Sequence, residues 1–252
     1  MNTSNGVAIR VESLSKSFRI PNIPKQATIK DVVVRRMRHE GRTGIVDALK
    51  DVSFTLEHGG VLGIVGGNGS GKTTLMRVMA GVCHADAGRV VIDGTIAPLL
   101  AVGAGFHPDL TGRENAKFGL LTMGLSRTEV AEHLEPAIAF AEIEEFGDLP
   151  ARTYSAGMLF RLAFAIAVCV DPDVLLLDEV LSVGDERYAK KCLDRIDSFK
   201  RRGKTIVVVT HELRFVEEWC TTGIWLHEGR VVAAGEPREV VAAYRALAAA
   251  SS

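Results

Sequence analysis

At 252 residues, 47% hydrophobic and 24% charged, the chain is long enough to bury a sizeable core as one domain without a disulfide or metal staple. A formal net charge of −1 removes the global electrostatic case for a nucleic-acid partner, which ordinarily shows as a basic domain. Cys83, Cys169, Cys192 and Cys220 form no C-x-x-C pair, so neither a zinc site nor a disulfide framework is expected, and a reducing compartment fits.

Met1 to Arg10 lacks an apolar signal core, and the longest apolar run, Leu162 to Val170, is far short of the roughly 20 residues a spanning helix needs. A cytoplasmic protein is expected, resting against rather than crossing a membrane. In chain order, Val7 to Glu12 reads as a strand and Val52 to Leu56 alternates as a half-exposed one, which suggests an antiparallel layer near the N-terminus. Between them, residues 20–47 form an insert with two prolines and a candidate helix. Val61 to Val65, Val174 to Leu177 and Thr205 to Val209 are continuous apolar runs of the kind found in buried parallel sheets.

Residues from about 107 to 165 read as a helical subdomain, opened by the capping-box patterns Thr111 to Glu114 and Ser126 to Glu129. After Thr210 come a short helix beginning near Glu212, a hairpin from Ile224 to Gly235 turning at Glu228 and Gly229, and a helix from Pro237. The whole chain, 1–252, reads as one α/β domain.

Gly66 to Thr73, GGNGSGKT, satisfies the phosphate-loop pattern between a predicted strand and a predicted helix. Gly66, Gly69 and Gly71, with Asn68 and Ser70, let backbone amides turn inward around phosphate. The helix start carrying Thr73 and Thr74 adds positive potential, Lys72 reaches the β/γ oxygens, and Thr73 offers a hydroxyl to Mg²⁺. The run from Val174 ends in Asp178 and Glu179, at the sheet edge where α/β folds place ligands. Asp178 suits Mg²⁺ and Glu179 suits a general base for the attacking water. Alone, such a pair merely caps a helix; beside a phosphate loop it reads as catalytic. Ser155 stands as an N-cap before an apolar helical stretch.

Tyr154 to Met158, YSAGM, resembles the five-residue signature of the ABC ATPase family, departing at its third and fifth positions and keeping Ser155 and Gly157. The resemblance implies a P-loop NTPase ABC nucleotide-binding domain: a mostly parallel core sheet, an antiparallel β subdomain and a helical signature subdomain. It implies that Ser155, Gly157 and their helix start grip the γ-phosphate held by the opposite subunit of a homodimer, with ATP and Mg²⁺ bound between. Ser182 to Asp185 resembles the family's D-loop, and His211 its switch histidine, which senses the γ-phosphate and helps position water. Phe18 occupies the place of the aromatic that stacks on adenine, although a phenylalanine ending a strand is also an ordinary core residue.

The chain's one glutamine is Gln26, whereas the family places one between phosphate loop and signature. Its counterpart falls near Leu99 to Gly103, where a backbone or water contact to Mg²⁺ is expected instead. That departure, with Gly103 to Asn115, Tyr154 to Met158, Arg161 to Ala165 and Val183 to Asp185, resembles the polysaccharide-exporting branch, whose members move lipid-linked O-antigen, capsule or teichoic acid through a separate membrane permease. The chain resembles the short form without a carbohydrate-binding domain, peripheral on the cytoplasmic face of the inner membrane. A small-molecule importer or drug exporter is the alternative, because the nucleotide chemistry is shared. The 20–47 insert is also similar to that branch: Ile29, Val32, Val33 and Met37 fall on one helical face amid Lys30, Arg35, Arg36 and Arg38. It reads either as a basic amphipathic helix at the membrane interface or as a surface helix on its own domain.

Overall fold

The computed structural model describes residues 6–21, 43–100, 105–178 and 186–250. The candidate helix within 20–47, residues Gly103 and Glu179, and the segment 180–185 with Asp185 lie outside the described residues.

β1 (Val7–Pro21) and β2 (Thr43–Glu57) pair antiparallel, and β4 (Ala87–Ile92) pairs with the other edge of β1. Both first strands run past their expected limits. Ile20 and Pro21 pair with Gly44 and Thr43, so the two ends of the presumed 20–47 insert belong to the sheet. The chain's alternation simply continues there, with Phe18 opposite Val46 and Arg19 opposite Ile45.

The second sheet has the order β5-β6-β7-β3-β8-β9, with β3 (Val61–Val65), β5 (Ile96–Leu99), β6 (Val174–Asp178), β7 (Thr205–Val209), β8 (Thr222–His227) and β9 (Arg230–Gly235). All its pairings are parallel except β8 with β9. The three apolar runs are adjacent central strands, buried on both faces. Val174, Leu176, Val207 and Val209 face one core with Leu75 and Met76, whereas Leu175, Leu177, Ile206 and Val208 face another with Phe164, Tyr188 and Phe199. Period-two alternation thus serves two cores at once. Pro98, which has no N–H to donate, lies in the edge strand β5.

The first core is closed by α1 (Lys72–Met79) and the antiparallel sheet, and the second by α4 (Ala156–Cys169) and α5 (Glu186–Arg201). A third cluster joins α2 (Gly112–Thr122), α3 (Arg127–Ala141) and α4 through Leu120, Ile138 and Leu162. Both capping boxes form as expected. Thr111 and Ser126 each accept from the third helical amide, while Glu114 and Glu129 return the bond to the cap amides at 2.8 Å. The helical layer runs to Cys169, slightly beyond 165, because the apolar face of α4 continues against the sheet. α6 (Leu213–Trp219) and α7 (Pro237–Ala250) pack with Trp225 beside β8. The hairpin turn sits at Glu228 and Gly229, with φ of 47° and 79°, as a two-residue type I′ turn requires.

Away from the phosphate loop, Asp173 ties together the starts of β5, β6 and β7. It accepts from the Thr95 amide and hydroxyl, both at 2.9 Å, and meets Lys204 Nζ at 3.2 Å. These bonds hold its carboxyl below the ordinary value of 3.8, the Thr95 amide foremost. A lowered folded value contributes stability above the unfolded value, and that contribution is lost as pH falls through the folded one. Asp173→Asn is therefore expected to lower the urea midpoint near pH 7, with the deficit shrinking as pH falls below 3.8. Urea titrations at the two pH values check it; a constant deficit would assign the effect to packing.

Candidate nucleotide site

β3 delivers Val65 directly into the glycine loop, and Gly71 starts α1 at φ 106° with no side-chain cap. The amides at that helix start are therefore not screened by a capping side chain, the arrangement that attracts anions. Gly71 has a second duty: a Cβ there would lie 2.5 Å from the Ala48 carbonyl, so β2 presses against the loop. Above Gly67 and Gly69 there is open space, the room a phosphate chain takes.

Lys72 is 6% exposed, and its ammonium donates to the Gly66 and Gly67 carbonyls at 2.7 and 2.9 Å. It is thus curled over the loop, among the groups expected to hold phosphate. Ser70 is 4% exposed, and its hydroxyl has no hydrogen-bond partner among the described residues. An orphaned buried hydroxyl in a glycine loop is what a bound phosphate oxygen would satisfy. Asn68 and Thr73 are exposed and Thr74 half-buried along the same turn.

The β8–β9 hairpin supports this loop from the opposite end of the chain. The Gly229 amide donates to Ser70 O at 2.9 Å, and the Lys50 amide donates to Gly229 O at 2.7 Å. The sequence shows the turn but gives no signal that it docks here.

Asp178 ends β6 with Val209 as its Cα partner, and Val209's neighbour on the far side, in β7's pairing with β3, is Ile64. Asp178, the residues leading to His211 and the start of the phosphate loop therefore share one end of the sheet, its C-terminal edge. His211 is exposed just past β7, where the Thr210 hydroxyl accepts from the Glu212 amide at 3.0 Å. Leu99, the first residue of the stretch lacking a glutamine, pairs with Leu177, next to Asp178 at the end of β6.

A carboxylate and a hydroxyl near a phosphate loop suit Mg²⁺, which keeps several waters and uses few protein ligands. Among the described residues no cluster of three His, Cys, Asp or Glu side chains stands ready to hold a metal by itself.

Phe18, 39% exposed, projects from β1 opposite Val46, two residues from the Ala48 carbonyl that abuts Gly71. Lys16 Nζ lies 5.5 Å from its ring centroid. The aromatic is therefore on the ribbon beside the phosphate loop rather than in the core, a placement that suits a stacking platform.

Ser155 caps α4, its hydroxyl accepting from the Met158 amide at 3.2 Å. Buried Tyr154 anchors this start by donating to Phe146 O at 2.7 Å and packing where Gly112 leaves no Cβ. Gly157 differs: a Cβ there would meet only Ser155 Oγ, at 3.7 Å, which is ordinary contact. Upstream, the loop before α2 is fixed by buried Asn115, which donates to the carbonyls of His107, Leu110 and Thr111 and accepts from the His107 amide.

The profile of a family described as ABC transporter matches residues 49–182. The O-antigen export system ATP-binding protein RfbB of Myxococcus xanthus is 45% identical over 94% of the chain, and the chain spans 55% of that relative. The teichoic acids export ATP-binding protein TagH of Bacillus anthracis is 41% identical over 94% of the chain, which spans 42% of it. TagH of Staphylococcus epidermidis (strain ATCC 35984 / DSM 28319 / BCRC 17069 / CCUG 31568 / BM 3577 / RP62A) is 39% identical over 96% of the chain and is spanned to 89% of its own length. The chain thus covers only about half the length of the first two relatives. A dimeric post-hydrolysis ATP-binding cassette bound to ADP and Pi superposes with TM-score 0.72 at 22% identity, over 91% of this chain and 99% of that one, and so shares the fold. Phosphate loop, parallel sheet and the profile match agree: the chain belongs to the ABC transporter family and carries its ATP-binding cassette.

Proposed function

We propose that the chain is the ATP-hydrolysing subunit of an exporter of lipid-linked polysaccharide, working as a homodimer beneath a separate membrane permease on the cytoplasmic face. The observation that carries the motor part is the loop around Ser70 and Lys72, a buried hydroxyl and a buried ammonium converging on an uncapped helix start. The substrate class rests on relatives named for O-antigen and teichoic acid export. Among the described residues no helix is long and apolar enough to cross a membrane, which fits a role for a second, spanning subunit.

Loop amides and Lys72 hold the β and γ phosphates, and Phe18 stacks on the base. Mg²⁺, when bound, would be held by Thr73 and Asp178 and would neutralise charge on the phosphates. Glu179 accepts the proton of the attacking water, and His211 helps orient that water toward phosphorus. Ser155 and Gly157 of the second copy approach the γ-phosphate with the N-terminus of α4, so the site is complete only in the dimer. Closing on ATP and reopening after phosphate release would then move the permease.

Reconstituting the chain with its permease and comparing Glu179→Gln with wild type tests this. The variant is expected to bind ATP normally and turn it over at least about 100-fold more slowly, the usual contribution of a general base. Wild type is expected to move lipid-linked glycan with hydrolysis. Hydrolysis without glycan movement would leave the motor and remove the substrate class, and undiminished turnover by Glu179→Gln would remove the catalytic assignment.

A further inference from the structure

Glu142 ends α3 in the left-handed region at φ 57°, a conformation disfavoured for any residue with a Cβ and ordinarily given to glycine at a helix end. Its carboxylate meets cations from two other helices. Lys191 Nζ of α5 lies at 3.0 Å, Arg161 Nη1 of α4 at 3.5 Å, and Arg187 of α5 donates to the same oxygen as Arg161. Lys191 also donates to Phe140 O at 2.9 Å.

The joint is tightly packed beneath the charges. Tyr188, fully buried between Arg187 and Lys191, donates to Arg161 O at 3.2 Å, lies 4.6 Å from the Arg161 guanidinium and meets Phe140 edge-on at 6.2 Å. On its other side, Glu142 lines a pocket of about 250 Å³ with Ser155, Gly157 and Arg161. The carboxylate of one residue with a strained backbone therefore connects the end of α3, the first two turns of α5 and the helix that starts at the signature. Lys191 and Arg187 hold that carboxyl below its ordinary range, Lys191 foremost, so the connection is charged at neutral pH.

We propose that Glu142 is a positioning residue for ATP hydrolysis. It ties the first two turns of α5, the helix that follows Glu179 and Asp185 in the chain, to α4, and so fixes how Ser155 and Gly157 are presented to nucleotide on a second copy. This deepens, and rests on, the reading of Ser155 and Gly157 given above. Strained backbone of this kind clusters at sites held for function.

The test uses the full chain with Glu142→Gly, which removes the carboxylate while relieving the backbone, and Glu142→Asp, which keeps the charge. Glu142→Gly is expected to retain its melting temperature and its affinity for a non-hydrolysable ATP analogue. Its kcat is expected to fall about tenfold or more at unchanged KM, as displacement of a distant catalytic contact does. Glu142→Asp is expected to recover part of that loss. Raising salt to about 0.5 M should lower wild-type kcat more than that of Glu142→Gly, because screening weakens only the intact connection.

Wild-type kcat in Glu142→Gly overturns the proposal. So does a loss matched by a lower melting temperature or weaker analogue binding, which would make the residue merely structural. If Glu142→Gly does not fold, Glu142→Gln is read by the same criteria. Gly157→Asp assayed alongside separates the two ideas. If it is inactive while Glu142→Gly is fully active, only the positioning role falls; if it is fully active, the dimer reading beneath it falls too.

Discussion

Gly71→Ala is expected to destabilise the chain by about 3 kcal/mol, lower its melting temperature by roughly 10 °C and abolish ATP binding. The reason is local and steric. At φ 106° an L side chain is strained, and the added Cβ would lie 2.5 Å from the Ala48 carbonyl and 3.1 Å from Leu49. Relief requires moving β2 away from the phosphate loop or turning the loop, and either disturbs the amides at the start of α1. Thermal unfolding and equilibrium binding of a fluorescent ATP analogue check both halves. A variant that binds normally with an unchanged midpoint would mean that the loop yields without cost.

Gly157→Asp is expected to do the reverse, leaving the fold intact and stopping turnover. A Cβ at 157 has only Ser155 Oγ in contact, at 3.7 Å, and an acidic residue in the first turn of α4 interacts favourably with the helix dipole. The melting temperature should therefore stay within a few degrees, the shift corresponding to about 1 kcal/mol at most. Steady-state hydrolysis should fall by at least about 100-fold, because the carboxylate would be aimed at the γ-phosphate of the second copy where an anion-binding helix start is needed. ATP binding to a single chain should survive. Normal turnover would show that this helix start never meets nucleotide. One glycine thus serves its own protomer, and the other is free of any demand within it.

The phosphate loop, the three central strands, both capping boxes, the hairpin turn and the signature helix were all legible, because each is specified by neighbours a few residues apart. Gly66 to Thr73 and Ser155 carry their chemistry in local spacing. What was not legible came from pairings distant in sequence. β4 and β5 were not foreseen: Ala87–Ile92 is mostly exposed and lacks a clear apolar alternation, and Ile96–Leu99 is only four residues containing a proline. The extension of β1 to Pro21 depends on a partner beginning at Thr43. α5 was missed although one face is apolar, because its charged residues dominate the local composition.

Glu142 looks like one more acidic residue in the run Glu142 to Glu145. Only the fold brings Arg161, Arg187 and Lys191 to it. The docking of Gly229 on Ser70 is likewise a tertiary fact, the two lying 159 positions apart in no pattern that local chemistry reveals.

The strand order has a consequence for how the protein is made. Among the described residues, the sheet neighbours of β3, which carries the phosphate loop, are β7 and β8, and both are synthesised long after it. Roughly 140 residues separate Val65 from Thr205, which at ribosomal speeds leaves β3 without a partner for on the order of ten seconds. During that interval the nascent chain holds an apolar strand with both edges open, the state most prone to illicit pairing with a neighbour on the same polysome. The family profile's own stretch, 49–182, ends before either neighbour begins. A piece cut to those limits would keep the loop's sequence and lose the sheet that shapes it, so the nucleotide pocket is among the last things this polypeptide completes.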